Sequence, residues 1–568
     1  MKKILVHNFT RIGDLLQSTP LLAGLKKREP HCEIVLAVHK RFQEVCEGFP
    51  FVDTVISFDS DGLKDTILQG GDGLLQSYHY VKSFIDLLKD RHFDLVVNLS
   101  HSRSSCILLS LLDIQQVVGS IADRTGTFCT KHPWANHFKN MSINRETSPF
   151  NLVDVYRRMG DVPASLRRLV YEVTPSAQAA ADRLLSDMFE LSGDGSKSPL
   201  LIGFQPGASQ ESRQWPAAAF ARLGQALWDE LGARIIVLGT DKEAPLGEDI
   251  VKACCGRAVS VMGKTSLAQL AALLQRCRLL VTNDTGTMHL ACAVGTQVIS
   301  LFMGPALFYQ TGPYGAGHLV LQAEIPCAPC NYLTHCSHQV CKEHIRWQAV
   351  SHIVQWTLAG KPQPAPDPVP GLGGYISGFD EDGYLHFSPL TKRQLDWPAF
   401  VRLAYREVWK VILDGKPLTQ ACAAVTQEIE RHYEWEKAAA EIASVHGETA
   451  RDLDRLYSLA QQGHTLTLEL VEQARRRPSP VGRIRSLGKA LEELDEQLRI
   501  LGATKETLKP MTATFRFGKE NLQGWELLSL AQQTLQVYEA LAHQTKTMAQ
   551  VLAASMKDLF ASVTTTSP

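Results

Sequence analysis

The sequence predicts an α/β protein with two doubly wound parallel sheets, followed by an all-α helical bundle. Short apolar runs, such as 4–6 and 279–282, suit buried parallel strands, and helical patterns follow them at regular intervals. This alternation occurs twice, before and after a Gly- and Ser-rich stretch at 192–198. Beyond residue 390 the strand patterns stop and long helical periods continue, which is typical of antiparallel helices packed as a bundle.

The domain boundaries follow from these changes in pattern. Residues 1–191 form the first predicted Rossmann-like domain, and residues 199–359 form the second. Residues 360–389 are rich in Pro and Gly, which predicts a stiff linker. Residues 390–568 form the predicted helical domain. A chain of 568 residues is long enough for three such domains.

The composition excludes several classes of protein. Apolar residues make up 45% and charged residues 21%, as in a folded globular protein, and the net charge of −1 disfavours nucleic acid as a partner. No apolar run is long enough to cross a bilayer, and the N-terminus lacks the apolar core of a signal peptide. Most of the 13 cysteines occur singly among apolar residues, which indicates a reducing compartment. We therefore expect a cytoplasmic protein.

The most informative stretch is a strand–turn–helix unit that begins with the apolar run 279–282. A polar turn follows this run, and a short helical pattern follows the turn. The N–H groups at a helix start favour an anion, Thr285 adds a hydroxyl donor, and Gly286 lets a phosphate oxygen approach the main chain. The sequence therefore predicts a phosphate site here, with a simple helix cap by Asp284 or Thr285 as the alternative.

Two further polar loops follow apolar strands, at the edge where open α/β sheets place their ligands. In the first loop Gly13 permits a tight turn, and Asp14 lies at a helix start, where a carboxylate acts as a general base or caps the helix. The residues alone favour the cap. In the second loop Ser209 lies among exposed amides, and Arg213 supplies a permanent cation suited to a diphosphate. A carboxylate in the run 239–243 suits ribose hydroxyls.

Taken together, these motifs resemble glycosyltransferase family 9, the ADP-heptose:lipopolysaccharide heptosyltransferases of GT-B fold. The resemblance covers residues 1–356 and implies an active site between two Rossmann-like domains, with the acceptor on the first and the nucleotide sugar on the second. The motifs that carry it occur in the order expected of the family: Gly13-Asp14, Pro206-Gly207-Ala208, Arg213-Gln214-Trp215-Pro216, Asn283-Asp284-Thr285-Gly286 with His289, and Gly304-Pro305.

The resemblance also implies a role for each site residue. Asp14 is the base that deprotonates the acceptor hydroxyl, beside Arg11 and Gly13 of the acceptor-side loop. Arg213 takes the place of the family's phosphate-binding lysine. In the rest of the nucleotide-sugar site, Thr285 and Gly286 donate amides to the diphosphate, and Asp284 and His289 support that turn. Asp241 or Glu243 binds the ribose. Thr265 lies near the nucleotide base, and Ser209 belongs to the same site.

Four cysteines form a separate cluster, Cys327, Cys330, Cys336 and Cys341. Thiols this close along the chain suit a tetrahedral zinc or iron site, and a reduced or disulfide-bonded loop is the alternative. The cluster resembles the cysteine-rich finger of autotransporter-modifying heptosyltransferases, in which iron supports assembly. A metal here is expected to be structural, because four protein ligands leave no open coordination position for catalysis.

These features predict an inverting glycosyltransferase that moves a heptose from ADP-heptose to a lipopolysaccharide inner-core or related glycan acceptor and requires no cofactor for catalysis. Two alternatives stay open: a protein O-heptosyltransferase whose helical domain recruits the protein, and a non-catalytic GT-B scaffold whose function lies in that domain. The helical domain is also a candidate for oligomerisation. An arginine-rich run at 475–485 is either a solvated turn or a peripheral contact with the inner face of the cytoplasmic membrane.

Overall fold

The computed structural model describes residues 1–112, 114–123, 126–162, 166–189, 200–331, 336–366, 369–476 and 480–566. Within these ranges the predicted α/β class is confirmed, because two sheets built on parallel strands precede a long helical region. The stretch 192–198, predicted to separate the two sheets, lies outside the described residues.

The first sheet is built on the strands β1 (Lys3–Asn8), β2 (Glu33–His39), β3 (Thr54–Phe58) and β4 (Leu95–Asn98). These strands are parallel and lie in the order β3-β2-β1-β4. The chain therefore reverses its direction of winding between β1 and β4, and polar loops at such a reversal are the usual place for a ligand. The helices of this part are α1 (Ile12–Gln17), α2 (Thr19–Arg28), α3 (Ser60–Leu68) and α4 (Gly73–Lys89).

A segment of mixed structure follows the first four strands. It contains α5 (Arg103–Ser110), β5 (Gln116–Ala122), β6 (Phe128–Lys131) and α6 (Pro133–Ile143). The strands β5 and β6 pair in antiparallel orientation. Two further helices, α7 (Leu152–Met159) and α8 (Pro175–Phe189), precede the second sheet.

The second sheet has a parallel part in the order β12-β11-β10-β7-β8-β9. Its strands are β7 (Leu201–Gln205), β8 (Arg234–Val237), β9 (Ala258–Ser260), β10 (Leu279–Asn283), β11 (Gln297–Phe302) and β12 (Leu319–Ala323). Here the winding reverses between β7 and β10, so the loops that follow these two strands meet at one edge. The helices are α9 (Ala217–Leu231), α10 (Ala244–Ala253), α11 (Leu267–Arg276), α12 (Gly286–Ala293), α13 (Phe308–Thr311), α14 (Cys341–His344) and α15 (Trp347–Leu358).

Two antiparallel strands, β13 (Leu372–Phe379) and β14 (Leu385–Pro389), extend the second sheet beyond β12. They fall within the stretch 360–389, which the sequence predicts to be a linker. Leu385 and Phe387 are buried at alternate positions, as in a strand with one face against a core. Residues 372–389 are therefore part of the second sheet, and the prolines that suggested a spacer precede them.

The C-terminal region is helical, as predicted, apart from a pair of two-residue strands, β15 (Arg393–Gln394) and β16 (Tyr433–Glu434). Its helices are α16 (Trp397–Asp414), α17 (Leu418–His432), α18 (Ala439–Arg475), α19 (Val481–Thr504), α20 (Lys509–Glu520) and α21 (Leu527–Thr566). The long helices α18 and α21 pack along each other. Of the helices in the described ranges, none has both the length and the apolar character needed to span a bilayer.

The chain forms two compact units. The first contains Met1–Ser100, Leu112–Val117 and Phe150–Thr391, and with them the strands β1 to β4 and β7 to β14. The second contains His101–Leu111, Val118–Pro149 and Lys392–Pro568.

The second unit includes a segment that the sequence assigns to the first domain. In it Asn140 of α6 donates a hydrogen bond to the main-chain oxygen of Pro510 at 2.9 Å, and Lys139 forms an ion pair with Glu520 at 2.7 Å. The hydrogen bond of Asn140 is buried, and together with the more exposed ion pair it makes α6 part of the same folded body as α20. The helical region therefore folds together with residues from the N-terminal part of the chain.

Candidate active site

Asp14 lies in the first turn of α1, directly after strand β1. The N–H of Arg11 donates a hydrogen bond to Asp14 Oδ2 at 3.3 Å, so the carboxylate caps its own helix. Burial raises the pKa of this carboxyl above its ordinary value of 3.8, although the hydrogen bond and the charge of Arg11 act in the opposite direction. A desolvated carboxylate is a stronger base, which is the property that general-base catalysis needs.

The loop that carries Asp14 is fixed by the fully buried side chain of Asn8 at the end of β1. Its Oδ1 accepts hydrogen bonds from the N–H and the hydroxyl of Thr10, and its Nδ2 donates to the main-chain oxygen of Asp14 at 3.4 Å. The N–H of Phe9 donates to Ser100 Oγ at 2.8 Å. Sequence reasoning missed Asn8 and Ser100. The available signal was the position of each at the end of an apolar strand, before a polar loop.

The predicted phosphate turn joins β10 to α12, which begins at Gly286. Thr285 precedes the helix with extended backbone (φ −144°, ψ 167°). In the described part of the chain its hydroxyl does not cap the helix and lies 3.4 Å from the Thr282 hydroxyl. Because the cap residue does not neutralise the positive end of the helix dipole, this helix start favours an anion.

Arg213 and Asp284 bring the loop after β7 to the turn after β10. Arg213 Nη1 lies 3.0 Å from Asp284 Oδ2 in an ion pair whose side chains are 11% and 10% exposed. Asn283 ties the same two loops, because its Nδ2 donates to the main-chain oxygen of Pro206 at 2.7 Å and its Oδ1 accepts from the N–H of Trp215 at 3.1 Å. The sequence placed Asn283 in the motif but predicted no role for it. In the structure, the Asn283 side chain joins the two loops.

The carboxylates of the 239–243 run differ in their surroundings. Glu243 Oε2 accepts hydrogen bonds from the N–H and the hydroxyl of Thr240 at 2.8 and 2.9 Å. A Cβ on Gly207 would lie only 1.9 Å from Glu243 Oε1, so a glycine is needed for the loop after β7 to approach this carboxylate. Asp241 is exposed. The structure therefore brings Glu243, and not Asp241, against the loop that leads to Arg213.

Ser209 and Thr265 lie further from these contacts. Ser209 is exposed in the loop after β7, and Thr265 is half-buried in the loop before α11. Thr265 follows Gly263, whose added Cβ would lie 2.9 Å from the Cα of Asp241. The loops that carry Thr265 and Asp241 are thus neighbours at the same edge of the second sheet.

The first turns of α1 and α12 are in direct contact. A Cβ on Gly13 would lie 2.9 Å from Cδ2 of His289, and a Cβ on Gly286 would lie 3.5 Å from Cγ2 of Ile12. His289 is buried, which lowers its pKa to about 4 and keeps the ring neutral. Its Nε2 lies 3.1 Å from Nε2 of Gln17, so the contact continues one turn further along both helices. The helix of the predicted base therefore packs against the helix of the predicted phosphate turn.

The four clustered cysteines share one neighbourhood. Burial and the neighbouring thiols of Cys341, Cys327 and Cys336 raise the pKa of the Cys330 thiol. The N–H of Gln339 donates a hydrogen bond to Cys336 Sγ at 3.3 Å, a contact that also suits a metal-bound thiolate.

The donor set fits zinc or iron, but the sulfurs do not form a closed tetrahedral site in this structure. Within the described ranges, no three of these sulfurs lie within 4.8 Å of one another. The loop between the second and third cysteines, residues 332–335, lies outside the described residues and includes His335.

Known proteins resemble this chain in sequence and in structure. Residues 81–340 match the model of glycosyltransferase family 9 (heptosyltransferase). Lipooligosaccharide heptosyltransferase 2 of Haemophilus influenzae is 25% identical over 315 residues, which cover 55% of this chain and 85% of that protein. Lipopolysaccharide heptosyltransferase 1 of Pseudomonas aeruginosa is 25% identical over 355 residues, which cover 60% of this chain and 89% of that protein.

Solved structures of heptosyltransferases are similar as well. ADP-heptose lipopolysaccharide heptosyltransferase II of Escherichia coli has a TM-score of 0.47 and 20% identity, with 64% of this chain and 99% of that chain covered. A second Escherichia coli heptosyltransferase, solved with ADP, has a TM-score of 0.46 and 17% identity, with 62% and 99% covered.

The fold, the strand-end loops and the sequence matches define the class of this protein as a glycosyltransferase. More particularly, residues 81–340 match glycosyltransferase family 9, the heptosyltransferase family, and the relatives reported above are heptosyltransferases. The matched residues end at 340, so the helical region lies beyond the part that matches the family model.

Proposed function

We propose that this glycosyltransferase moves a heptose from ADP-heptose to a hydroxyl of a lipopolysaccharide inner-core acceptor, with inversion at the anomeric carbon. The observation that carries the proposal is the contact between the first turns of α1 and α12, which sets the helix of Asp14 against the turn of Thr285 and Gly286. The names of the curated relatives, which are lipopolysaccharide and lipooligosaccharide heptosyltransferases, support the sugar and the acceptor class.

In this proposal the donor diphosphate binds at the start of α12. The amides of Thr285 and Gly286 and the guanidinium of Arg213 supply the positive charge, and Asp284 holds the guanidinium in place through the 3.0 Å ion pair. Negative charge grows on the leaving diphosphate oxygen as the sugar departs. In other enzymes one preorganised donor at such a position is worth about 3 kcal/mol of transition-state stabilisation.

Asp14 acts as the general base. The acceptor oxygen forms a bond to the anomeric carbon on the face opposite the breaking bond to ADP, and Asp14 accepts the hydroxyl proton. Arg11 and Gly13 shape the acceptor side of this loop. Because helix-end amides and Arg213 stabilise the leaving group, the proposal requires no cofactor for the chemical step.

The remaining site residues hold the nucleotide. A carboxylate of Glu243 or Asp241 accepts hydrogen bonds from the ribose hydroxyls, as acidic residues do in dinucleotide folds. Contact between the Glu243 carboxylate and the Gly207 loop supports Glu243 for this role. Thr265 lies near the adenine of the nucleotide, and Ser209 belongs to the same nucleotide-sugar site.

The cysteine cluster is proposed as a structural site for zinc or iron. Cys327, Cys330, Cys336 and Cys341 would hold the metal as thiolates, and the metal would fix the loop that they share. The closeness of the three other thiols to Cys330 supports a common site.

A lipid-linked acceptor would place the enzyme in the cytoplasm, with peripheral contact at the inner face of the cytoplasmic membrane. The arginines of the 475–485 run support such a contact in part. Arg483 is engaged with Glu469 by two hydrogen bonds of 2.6 and 2.7 Å, while Arg477 lies outside the described residues. The helical region is also proposed as a site of self-association.

The test is transfer by the purified full-length chain with ADP-heptose as donor. One reaction contains a core lipid acceptor that lacks the heptose, and a parallel reaction contains a protein acceptor. We expect ADP release and a gain of one heptose in mass only with the core lipid. Transfer to the protein alone would instead establish a protein O-heptosyltransferase. ADP binding without any turnover would establish the scaffold.

A further inference from the structure

We propose that Gln17 is a positioning residue for sugar transfer, and that its hydrogen bond to His289 sets the distance between the base helix and the diphosphate helix. The inference rests on the proposed function and adds to it a residue that the sequence motifs did not single out. The proposed role is to align Asp14 with the diphosphate turn of α12, and Gln17 itself touches neither substrate.

The hydrogen bond joins two distant parts of the chain inside the core. Gln17 is 1% exposed and His289 is 4% exposed, and their Nε2 atoms lie 3.1 Å apart across 272 residues of sequence. With the ring neutral, the carboxamide N–H donates and the ring Nε2 accepts. The opposite orientation, in which the ring N–H donates to the carboxamide oxygen, would give the same link.

Each of the two side chains lies three residues after a residue of the proposed site. Gln17 follows Asp14 by three residues on α1, and His289 follows Gly286 by three residues on α12. Residues three apart lie on one face of a helix. The hydrogen bond therefore lies one turn beyond the reacting groups, and a shift of either helix at the bond would move the base relative to the diphosphate.

The surroundings of Gln17 and His289 offer few other polar contacts to these two side chains. Gln17 Oε1 and His289 Nδ1 are buried and have no hydrogen-bond partner among the described residues. Their neighbours along both helices, Leu16, Met288 and Leu290, are fully buried and apolar. A buried polar pair in such a place adds little net stability but specifies one relative position of the elements that it joins.

Close packing between α1 and α12 leaves little room for the two helices to adjust when the hydrogen bond is lost. Because Gly13 has no Cβ, the His289 ring can lie against the main chain of α1. A displacement of 1 Å between reacting groups costs about 10²-fold in rate in well-studied enzymes. We therefore expect loss of the bond to act on kcat, while the donor diphosphate still binds to α12.

The central variant is Gln17→Met, which keeps the length and shape of the side chain and removes the hydrogen bond. We expect its kcat with ADP-heptose to fall about 10-fold to 100-fold, with the affinity for ADP within about threefold of wild type. The double variant Gln17→Met/His289→Leu should lose no more kcat than His289→Leu alone, because the pair acts as a unit.

Thr296→Val is the matched control. Thr296 Oγ1 donates a buried hydrogen bond of 2.7 Å to the main-chain oxygen of Leu274, close to the other end of α12 and away from α1. Its loss should lower thermal stability about as much as Gln17→Met does, and kcat should stay within about twofold of wild type.

The outcomes separate this inference from the proposed function. An active wild type, an inactive Asp14→Asn and a Gln17→Met variant with wild-type kcat would overturn the inference alone. A Gln17→Met variant that loses ADP affinity and stability without a separate effect on kcat would also overturn it, because its role would then be only structural. A wild type that binds ADP but never consumes ADP-heptose would overturn the proposed function and this role with it.

Discussion

The guanidinium of Arg213 and the carboxylate of Asp284 form an ion pair 3.0 Å long, with about a tenth of each side chain exposed. The pair joins the loops that follow β7 and β10, the two strands between which the winding of the second sheet reverses. A guanidinium has five N–H donors in a planar fork, so it is able to hold a carboxylate and a phosphate at the same time. The pair thus gives Arg213 a fixed direction at the start of α12.

Replacement of Arg213 by alanine should weaken ADP binding by at least about tenfold, because the site loses a cation and leaves Asp284 as an uncompensated charge near the diphosphate. Adenosine, which has no phosphate, should bind equally well to both proteins. Calorimetric titration with ADP and with adenosine measures the two effects.

The control for this change is Arg257→Ala, which removes an exposed arginine paired with Asp229 at 2.7 Å. This exposed pair contributes little to stability and is remote from α12, so the variant should keep its ADP affinity. An equal loss of ADP affinity in both variants would contradict the role of Arg213.

Gly13→Ala should lower both turnover and stability, because the new Cβ would lie 2.9 Å from His289 Cδ2 and force α1 away from α12. Gly488→Ala is the matched control in α19, where nothing lies within 4 Å of the added Cβ. That change should leave turnover unchanged and stabilise the chain by about 0.5–1 kcal/mol. ADP-heptose turnover and thermal unfolding of both variants check the prediction, and full activity of Gly13→Ala would refute the close contact.

The rate of transfer should fall in acid as Asp14 becomes protonated. Burial raises the pKa of this carboxyl, so the acid limb of kcat/KM should lie above the ordinary value of 3.8 and the rate should reach a plateau at higher pH. The residual activity of Asp14→Asn should show no such fall of kcat/KM in acid. If the fall persists in this variant, another group causes it.

Thermal unfolding at each pH separates this titration from loss of the fold. Burial lowers the pKa values of His7 and His289 from 6.5 to about 4. Because their folded-state pKa values lie below the unfolded value, the stability that these neutral rings provide above pH 6.5 is lost as the pH falls towards 4. Rates should therefore be compared only where the unfolding temperature still exceeds that of the assay.

Metal analysis should find about one zinc or iron per chain at the cysteine cluster, since four thiols meet the needs of one tetrahedral site. Cys336→Ser and Cys341→Ser should each abolish metal binding and lower the unfolding temperature. Cys255→Ser, which changes an exposed cysteine outside the cluster, should do neither. Metal-free protein after purification from zinc- and iron-supplemented cultures would refute the site.

The strand-end motifs were predictable because their signals are local. An apolar run followed by Gly13-Asp14 or by Asp284-Thr285-Gly286 marks a strand, a turn and a helix start within a few residues. Parallel strands then carry such turns to a common edge. Helices α1 and α12 begin at Ile12 and Gly286, within two residues of Asp14 and Thr285, and the α/β class with its helical C-terminal region follows from the same patterns.

Contacts between distant segments were not predictable from one sequence. Neither Gln17 nor Asn8 differs in type from ordinary polar residues near helices and strand ends, and their partners are set by tertiary packing. The hairpin of β13 and β14 was hidden by the Pro- and Gly-rich stretch before it. Packing of α6 with α20 depends on residues such as Asn140 and Pro510, which lie 370 positions apart.

The most direct test of the account compares wild type with Asp14→Asn for turnover of ADP-heptose and for ADP binding. We expect a rate about 10² to 10⁴ times lower in the variant, with ADP affinity unchanged, because the diphosphate binds to α12 and only the general base is lost. Equal turnover in the two proteins, or a wild type that does not bind ADP, would contradict it.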